Sequence, residues 1–262
     1  MPSELEEISI GTLKETREGK LNQMIDAFLG TLFPRNIVCM ACGEEIWTDQ
    51  VYSLCPTCKG DLPWNKGLTC KMCGITVPPT AGDRCYTCQT RRFFYDQGVS
   101  CLTYEGAAKQ LIMDFKYNER TYLGIHLGDM LYDLVGASLG WDYDYIVPVP
   151  MHKSRLQVRG YNQTAILADQ LSKRSGVPVS QGLIRSKKTP RLKRLDAATR
   201  KTTLDQAFHV TAQGMFGEKR ILLVDDIVTT GATLNQCAEV LKVDGARLVD
   251  MACIASNPLA HD

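Results

Sequence analysis

Eight of the eleven cysteines fall into four Cys-x-x-Cys pairs, Cys39 with Cys42, Cys55 with Cys58, Cys70 with Cys73 and Cys85 with Cys88, separated by 12, 11 and 11 residues. A thiolate pair on one tight turn holds half of a tetrahedral shell, and a pair from a neighbouring turn completes it. Eight thiolates therefore make two closed four-cysteine sites, which fits two structural zinc ions and leaves no ligand position open for catalysis. A redox dithiol is normally single and set on a strand-to-helix turn, and an iron–sulfur cluster is the other competitor; regular pairs in a Gly- and Pro-containing segment favour zinc. Sequential pairing, first with second and third with fourth, is expected over an interleaved arrangement. A glycine directly follows Cys42 and Cys73, where positive φ helps a turn aim its amides at sulfur. Cys101, Cys237 and Cys253 sit among apolar neighbours and read as buried thiols rather than ligands.

The regular cysteines end at residue 88, and the remaining pattern is of another kind. The 262 residues, 44% apolar and 8% aromatic, suffice for a packed core. A formal charge of +1 gives the whole chain no attraction to nucleic acid or membrane, so any such role is local. The start, "MPSELEEISI", is acidic, and no apolar run approaches the ~18 residues of a membrane span, so the reading is a cytoplasmic protein without a membrane span. Leu21, Met24, Ile25, Phe28, Leu29 and Leu32 fall at helical spacing before Pro34, which predicts an amphipathic helix covering a core. The expected organisation is an N-terminal helical segment over 1–36, a double zinc ribbon over 37–92 and an α/β domain over 93–262.

In that last region β-rich runs alternate with helical ones: "YDYIVPVP", then "NQTAILADQLSKRSG" closed by Gly176, then "VPVSQGLI", then "ILLVDD" followed by a helix from about Thr233 to Val243, then "ARLVDMACIAS". Alternation of this kind predicts a parallel sheet flanked by helices, with ligands at the carboxyl ends of its strands. "ILLV" is continuously apolar, as a central strand covered on both faces must be, so Asp225 and Asp226 emerge at a ligand crevice. Behind them, Thr229, Thr230, Gly231, Ala232 and Thr233 lead into a helix and can cradle a phosphate with turned-in amides and hydroxyls. Two carboxylates beside a phosphate repel it, so they accept hydrogen bonds from hydroxyls or approach a metal. A ribose 5-phosphate meets both demands. No Gly-x-x-x-x-Gly-Lys-Ser/Thr loop occurs, which excludes a P-loop NTPase. A haloacid-dehalogenase-like phosphatase needs aspartate at 227, which is Ile227, and a response-regulator acidic pair belongs on a first strand, whereas only 36 residues follow Asp226.

"ILLVDDIVTTGATL" resembles the phosphoribosyl pyrophosphate motif of type I phosphoribosyltransferases. Together with the four cysteine pairs, "LIMDFKYNER" and "IVPVPMHKSRLQVRGYNQTAILA", in that order, it is similar to the ComF competence family and its GntX-like relatives over about residues 32 to 256. The resemblance implies a type I phosphoribosyltransferase fold behind the zinc ribbon and a phosphoribosyltransferase that binds phosphoribosyl pyrophosphate with magnesium. It implies that Asp225 and Asp226 are the catalytic acidic pair holding the ribose hydroxyls, and that Thr229 through Thr233 hold the 5-phosphate. His152, Lys153, Arg155 and Arg159 match the place of the pyrophosphate loop. "RSKKTPRLKRLDAATRK", Arg185 to Lys201, matches a flap over the pyrophosphate, with Leu192 where glutamine is usual and, just beyond it, Thr203 where asparagine is usual. The chemistry implied is departure of pyrophosphate through an oxocarbenium-like state, which the protein serves by positioning and charge neutralisation.

Nothing in the chain specifies an acceptor. The family context implies a link to DNA uptake and natural transformation. A second class of function follows from the same residues: a non-catalytic competence protein that keeps the fold while its basic flap and zinc ribbons contact single-stranded DNA. The flap carries no aromatic residue on which a base could stack.

Overall fold

The computed structural model of the protein describes residues 37–47, 50–118, 120–186 and 207–257. The expected helix around residues 21–32 and the flap from residue 187 onward, with Leu192 and Thr203, lie outside the described residues. The chain divides into two compact units, Met1–Pro56 and Thr57–Asp262.

In the first unit the Cys39 amide donates to the Glu44 carbonyl at 2.7 Å and the Gly43 amide returns to Cys39 at 2.9 Å. The second unit repeats that turn: the Cys70 amide donates to Ile75 and the Gly74 amide to Cys70, both at 2.8 Å. At Gly74, φ is +73°, and a Cβ would fall 2.1 Å from the backbone nitrogen of Ser100. The glycine expected from the turn geometry is thus also required by a close backbone approach from the neighbouring strand. Helical turns at Pro56–Asp61 and Tyr86–Gln89 carry Cys58 and Cys88, the second cysteines of the second and fourth pairs.

The body of the second unit is a parallel sheet. Strands β1 (Gln97–Thr103), β2 (Tyr145–Pro148), β5 (Arg220–Val228) and β6 (Leu248–Ser256) lie in the order β1-β6-β5-β2, every pair parallel. A separate antiparallel pair joins β3 (Leu183–Arg185) to β4 (Phe208–Val210). Of the expected strand "VPVSQGLI", only Leu183 and Ile184 lie in β3, while Val179 makes an isolated parallel bridge to Ile146. Among the described residues, the helices that connect and flank the sheet are α1 (Gly106–Tyr117), α2 (Leu123–Ser138), α3 (Lys153–Arg159), α4 (Gln163–Ser175) and α5 (Ala232–Val243). The α4 helix ends at Gly176 as its sequence predicts.

Ile221, Leu222, Leu223 and Val224 have no exposed surface, which is why this run is continuously apolar. β5 is interior, with β6 on one side and β2 on the other. Burial of such side chains, at roughly 25 cal/mol per Å² of apolar area, is the dominant favourable contribution here. The same core takes in Cys70, Met72, Ile75, Val77, Cys85 and Cys88 of the second ribbon together with Val228, Leu234 and Met251. The motif changes near residue 92, while the packing continues across that point. Among the described residues no helix is long and apolar enough to cross a membrane.

Candidate functional site

β2 stops at Pro148, opposite Val224, while β5 runs on beside β6 to Val228. Asp225 and Asp226 therefore stand just past the end of β2, where the sheet opens. Adjacent strand residues normally face opposite ways. Here Asp225 turns its carboxylate back to accept the Asp226 amide at 2.8 Å, and both residues line one cleft of about 210 Å³. The other walls come from the end of α1 (Lys116, Tyr117), the turn after β2 (Val149 to Met151), α3 (Arg155, Arg159), the start of α4 (Asn162 to Thr164), Arg185 and Thr233. That volume lies below the ~300 Å³ of a typical complete ligand pocket.

The electrostatics are those of an anion site with an acidic floor. Lys116, Arg155, Arg159 and Arg185 face Asp225 and Asp226. The Lys116 ammonium is 2.8 Å from the Asp226 carboxylate, with side chains 16% and 13% exposed. Burial, reinforced by the adjoining Asp226 carboxylate, pushes Asp225 up to about 8. Burial, aided by repulsion from Arg155, lowers the proton affinity of Arg185, whose guanidinium lies 5.1 Å from the centre of the Phe208 ring. Arg159 stacks 4.7 Å from the centre of the Tyr117 ring and donates to Gln163 Oε1 at 2.6 Å.

Of the residues singled out by sequence, the structure gathers Arg155, Arg159, Asp225, Asp226 and Thr233 into the cleft. Thr229, Thr230 and Gly231 line a second hollow of about 150 Å³, with Cys73, Cys85 and Cys88 on its far wall. Gly231, at φ +72°, is the N-cap of α5, and Ala232 is its first residue. Lys153 is exposed at the start of α3 and does not line the cleft; His152 caps that helix by accepting the Ser154 amide at 3.1 Å. The "RGYNQT" segment is a brace as well as a wall. Tyr161 donates to the Phe115 carbonyl, Thr164 to Val149 at 2.7 Å and Gln163 to Lys116 at 3.4 Å. These bonds fasten the end of α1 to the end of β2.

Lys116 is the residue that sequence reasoning weighted too little. "FKY" is a short string that many helices carry, and only the packing of α1 against the mouth of the sheet gives its lysine a partner.

The eight paired cysteines form two groups, Cys39, Cys42, Cys55, Cys58 and Cys70, Cys73, Cys85, Cys88, with the sulfur atoms of each group within 4.8 Å of one another. The pairing is sequential. The Cys55 amide donates to Cys39 Sγ at 3.3 Å. At Cys39 burial opposes the thiolate, yet the amides of Cys42, Cys55 and Ala41 outweigh it and bring the thiol down to about 7. Thiolates supported by amides are what a structural zinc ion needs. Burial pushes the Cys101, Cys237 and Cys253 thiols up, which keeps them neutral and inert.

Comparison with known proteins agrees with this geometry. The double zinc ribbon domain family matches residues 28–89, and the phosphoribosyl transferase domain family matches residues 157–260. Glutamine phosphoribosylpyrophosphate amidotransferase from B. subtilis aligns with 57% of this chain and 31% of its own, at 19% identity and a TM-score of 0.40. The two family matches, with the parallel sheet described above, make the molecule a double zinc ribbon followed by a domain of phosphoribosyltransferase fold.

The relatives narrow this further. Competence protein F of Haemophilus influenzae is 28% identical over 215 residues, 75% of this chain and 94% of that relative. The DNA utilization protein YhgH of Escherichia coli (strain K12) is 28% identical over 227 residues, 83% and 89% of the two chains. Competence protein ComFC of Bacillus subtilis is 25% identical over 226 residues, 80% and 90%. The chain is a homologue of these ComF and YhgH proteins over most of its length.

Proposed function

We propose that the cleft binds phosphoribosyl pyrophosphate with magnesium, and that the protein serves DNA uptake or utilization, as the names of its relatives say of them. The observation that carries the ligand reading is the union, in one cleft, of Asp225 and Asp226 with Arg155, Arg159 and Lys116. Cations alone would suit any phosphate. The acidic pair adds acceptors for vicinal hydroxyls, and a sugar phosphate supplies both partners.

The proposed roles are those that the resemblance implies for these residues; of the phosphate loop, Thr233 lines the cleft and Thr229, Thr230 and Gly231 the second hollow. Asp225 and Asp226 accept the ribose hydroxyls. Thr229 to Thr233, at the N-terminus of α5, receive the 5-phosphate through amides and hydroxyls. Arg155 and Arg159 take the pyrophosphate in the bidentate manner that guanidinium allows. Magnesium accompanying the pyrophosphate beside Arg155 and Arg159 would supply further positive charge to the leaving group. The chain's own part is to hold the anomeric carbon and the leaving group in place and to keep charge balanced as the bond breaks. Lys153, exposed at the head of α3, can meet pyrophosphate only outside that cleft.

Calorimetric titration with phosphoribosyl pyrophosphate tests the reading, with and without magnesium. Saturable binding that needs magnesium and is lost in Asp226→Asn supports it. No binding by protein carrying its zinc overturns it and leaves the single-stranded DNA role as the reading to pursue.

A further inference from the structure

Thr229 and Thr230 are exposed, so little of their own burial holds the phosphate loop in shape. Its restraints come from a stretch that begins three residues after the last zinc ligand. Arg91 Nη1 donates to the Thr230 carbonyl at 2.7 Å. The Phe94 amide donates to the Asn235 side chain, in the first turn of α5, at 2.6 Å. Phe93 and Tyr95, with ring centres 4.9 Å apart, close on Gly231 so tightly that a Cβ there would lie 3.2 Å from each. Tyr95 is 2% exposed, and its hydroxyl has no hydrogen-bond partner among the described residues.

That stretch is itself placed by the ribbon. Cys85 begins the helical turn that carries Cys88. Gln89, the next residue, ties the turn back to the Ala81 and Arg84 carbonyls at 3.1 and 2.9 Å. Cys70, Cys85 and Cys88 share one buried core with Tyr95, Val228 and Leu234. A tetrahedral ion at the second group would fix the turn, the turn fixes Arg91 to Tyr95, and those residues fix the loop.

We infer that the second four-cysteine site is a positioning element of the ligand site: zinc held by Cys70, Cys73, Cys85 and Cys88 sets the shape of the phosphate loop through Arg91, Phe93 and Tyr95. Resting on the phosphoribosyl pyrophosphate reading, it assigns Arg91 a positioning role that its exposed place beyond the ribbon does not suggest. Loss of this zinc is then read at the sugar phosphate site and not only in the ribbon.

The test uses the full chain, Arg91→Ala and Cys88→Ser, with zinc content, amide hydrogen exchange and phosphoribosyl pyrophosphate affinity measured on each. Arg91→Ala should keep both zinc ions, weaken the ligand about fivefold, as loss of one solvent-exposed hydrogen bond does, and speed exchange over residues 229–233. Exchange within α4 should stay unchanged in that variant, which separates loss of positioning from general damage. Cys88→Ser should lose one zinc and show the same local effects, more strongly. Wild-type exchange and affinity in Arg91→Ala overturn the inference, even if Cys88→Ser fails to fold. If the wild-type protein binds no phosphoribosyl pyrophosphate, the ligand reading fails, and unchanged exchange over 229–233 in Arg91→Ala would sink the positioning role on its own.

Discussion

Asp225 gives a pH dependence that can be worked through. Burial, with the Asp226 carboxylate beside it, places its carboxyl at about 8 in the ligand-free protein. At neutral pH it therefore carries a proton. A ribose hydroxyl is better held by the carboxylate than by the acid, so binding releases that proton. The apparent affinity then follows the ionised fraction, rising nearly tenfold per unit below the pKa and levelling above it. From pH 6 to pH 8, a carboxyl titrating at about 8 gives a gain of roughly fiftyfold. Calorimetry in two buffers of different ionisation enthalpy would read both the affinity and the protons released. Phosphates of the ligand titrate in the same range, so Asp225→Asn is the control: it should bind more weakly at pH 8 and lose most of the slope. The ligand-free protein should show the opposite trend. A carboxyl raised on folding keeps a proton that the unfolded chain releases near pH 4, so its contribution to stability is present below pH 4 and lost as pH rises to about 8. An affinity with the same slope in wild type and Asp225→Asn would refute the placement of Asp225 against the ligand.

Two further outcomes follow. The Lys116–Asp226 pair, 16% and 13% exposed at 2.8 Å, should show a coupling of about 1–2 kcal/mol in a Lys116→Met, Asp226→Asn double-mutant cycle by denaturant melts, less than a fully buried pair because water reaches it. A coupling indistinguishable from zero would mean that the contact contributes nothing to stability. Protein purified without added metal should contain two zinc ions per chain, and stripping them should unfold the ribbons, since each structural site contributes on the order of 10 kcal/mol; one zinc, or iron in its place, would contradict the two thiol groups.

The ribbons were legible because their chemistry is local. Two sulfur ligands on one turn must be two residues apart, so spacing alone announces them, and Gly43 and Gly74 follow the same turn. The order of elements around Asp225 was legible too: an apolar run, two acids and a helix start are all set by residues within fourteen positions of one another. That Arg155 and Arg159 should lie near the acids came from family resemblance; the cleft that gathers them is a product of packing.

Other features depend on contacts between segments far apart in the chain. Lys116 lies 110 residues before Asp226, and its pairing exists only because α1 is fastened to the end of β2 through Tyr161, Gln163 and Thr164. The raised pKa of Asp225 comes from burial that the mere sight of an aspartate cannot report. No motif or spacing singles out Arg91, and only the folded chain brings the Thr230 carbonyl within 2.7 Å of it. A sequence fixes what each short stretch can do by itself, through backbone preference and ligand spacing. Which charges share a cleft, and how far each leaves the dielectric of water, depends on the packing of whole elements, and only the folded chain decides it.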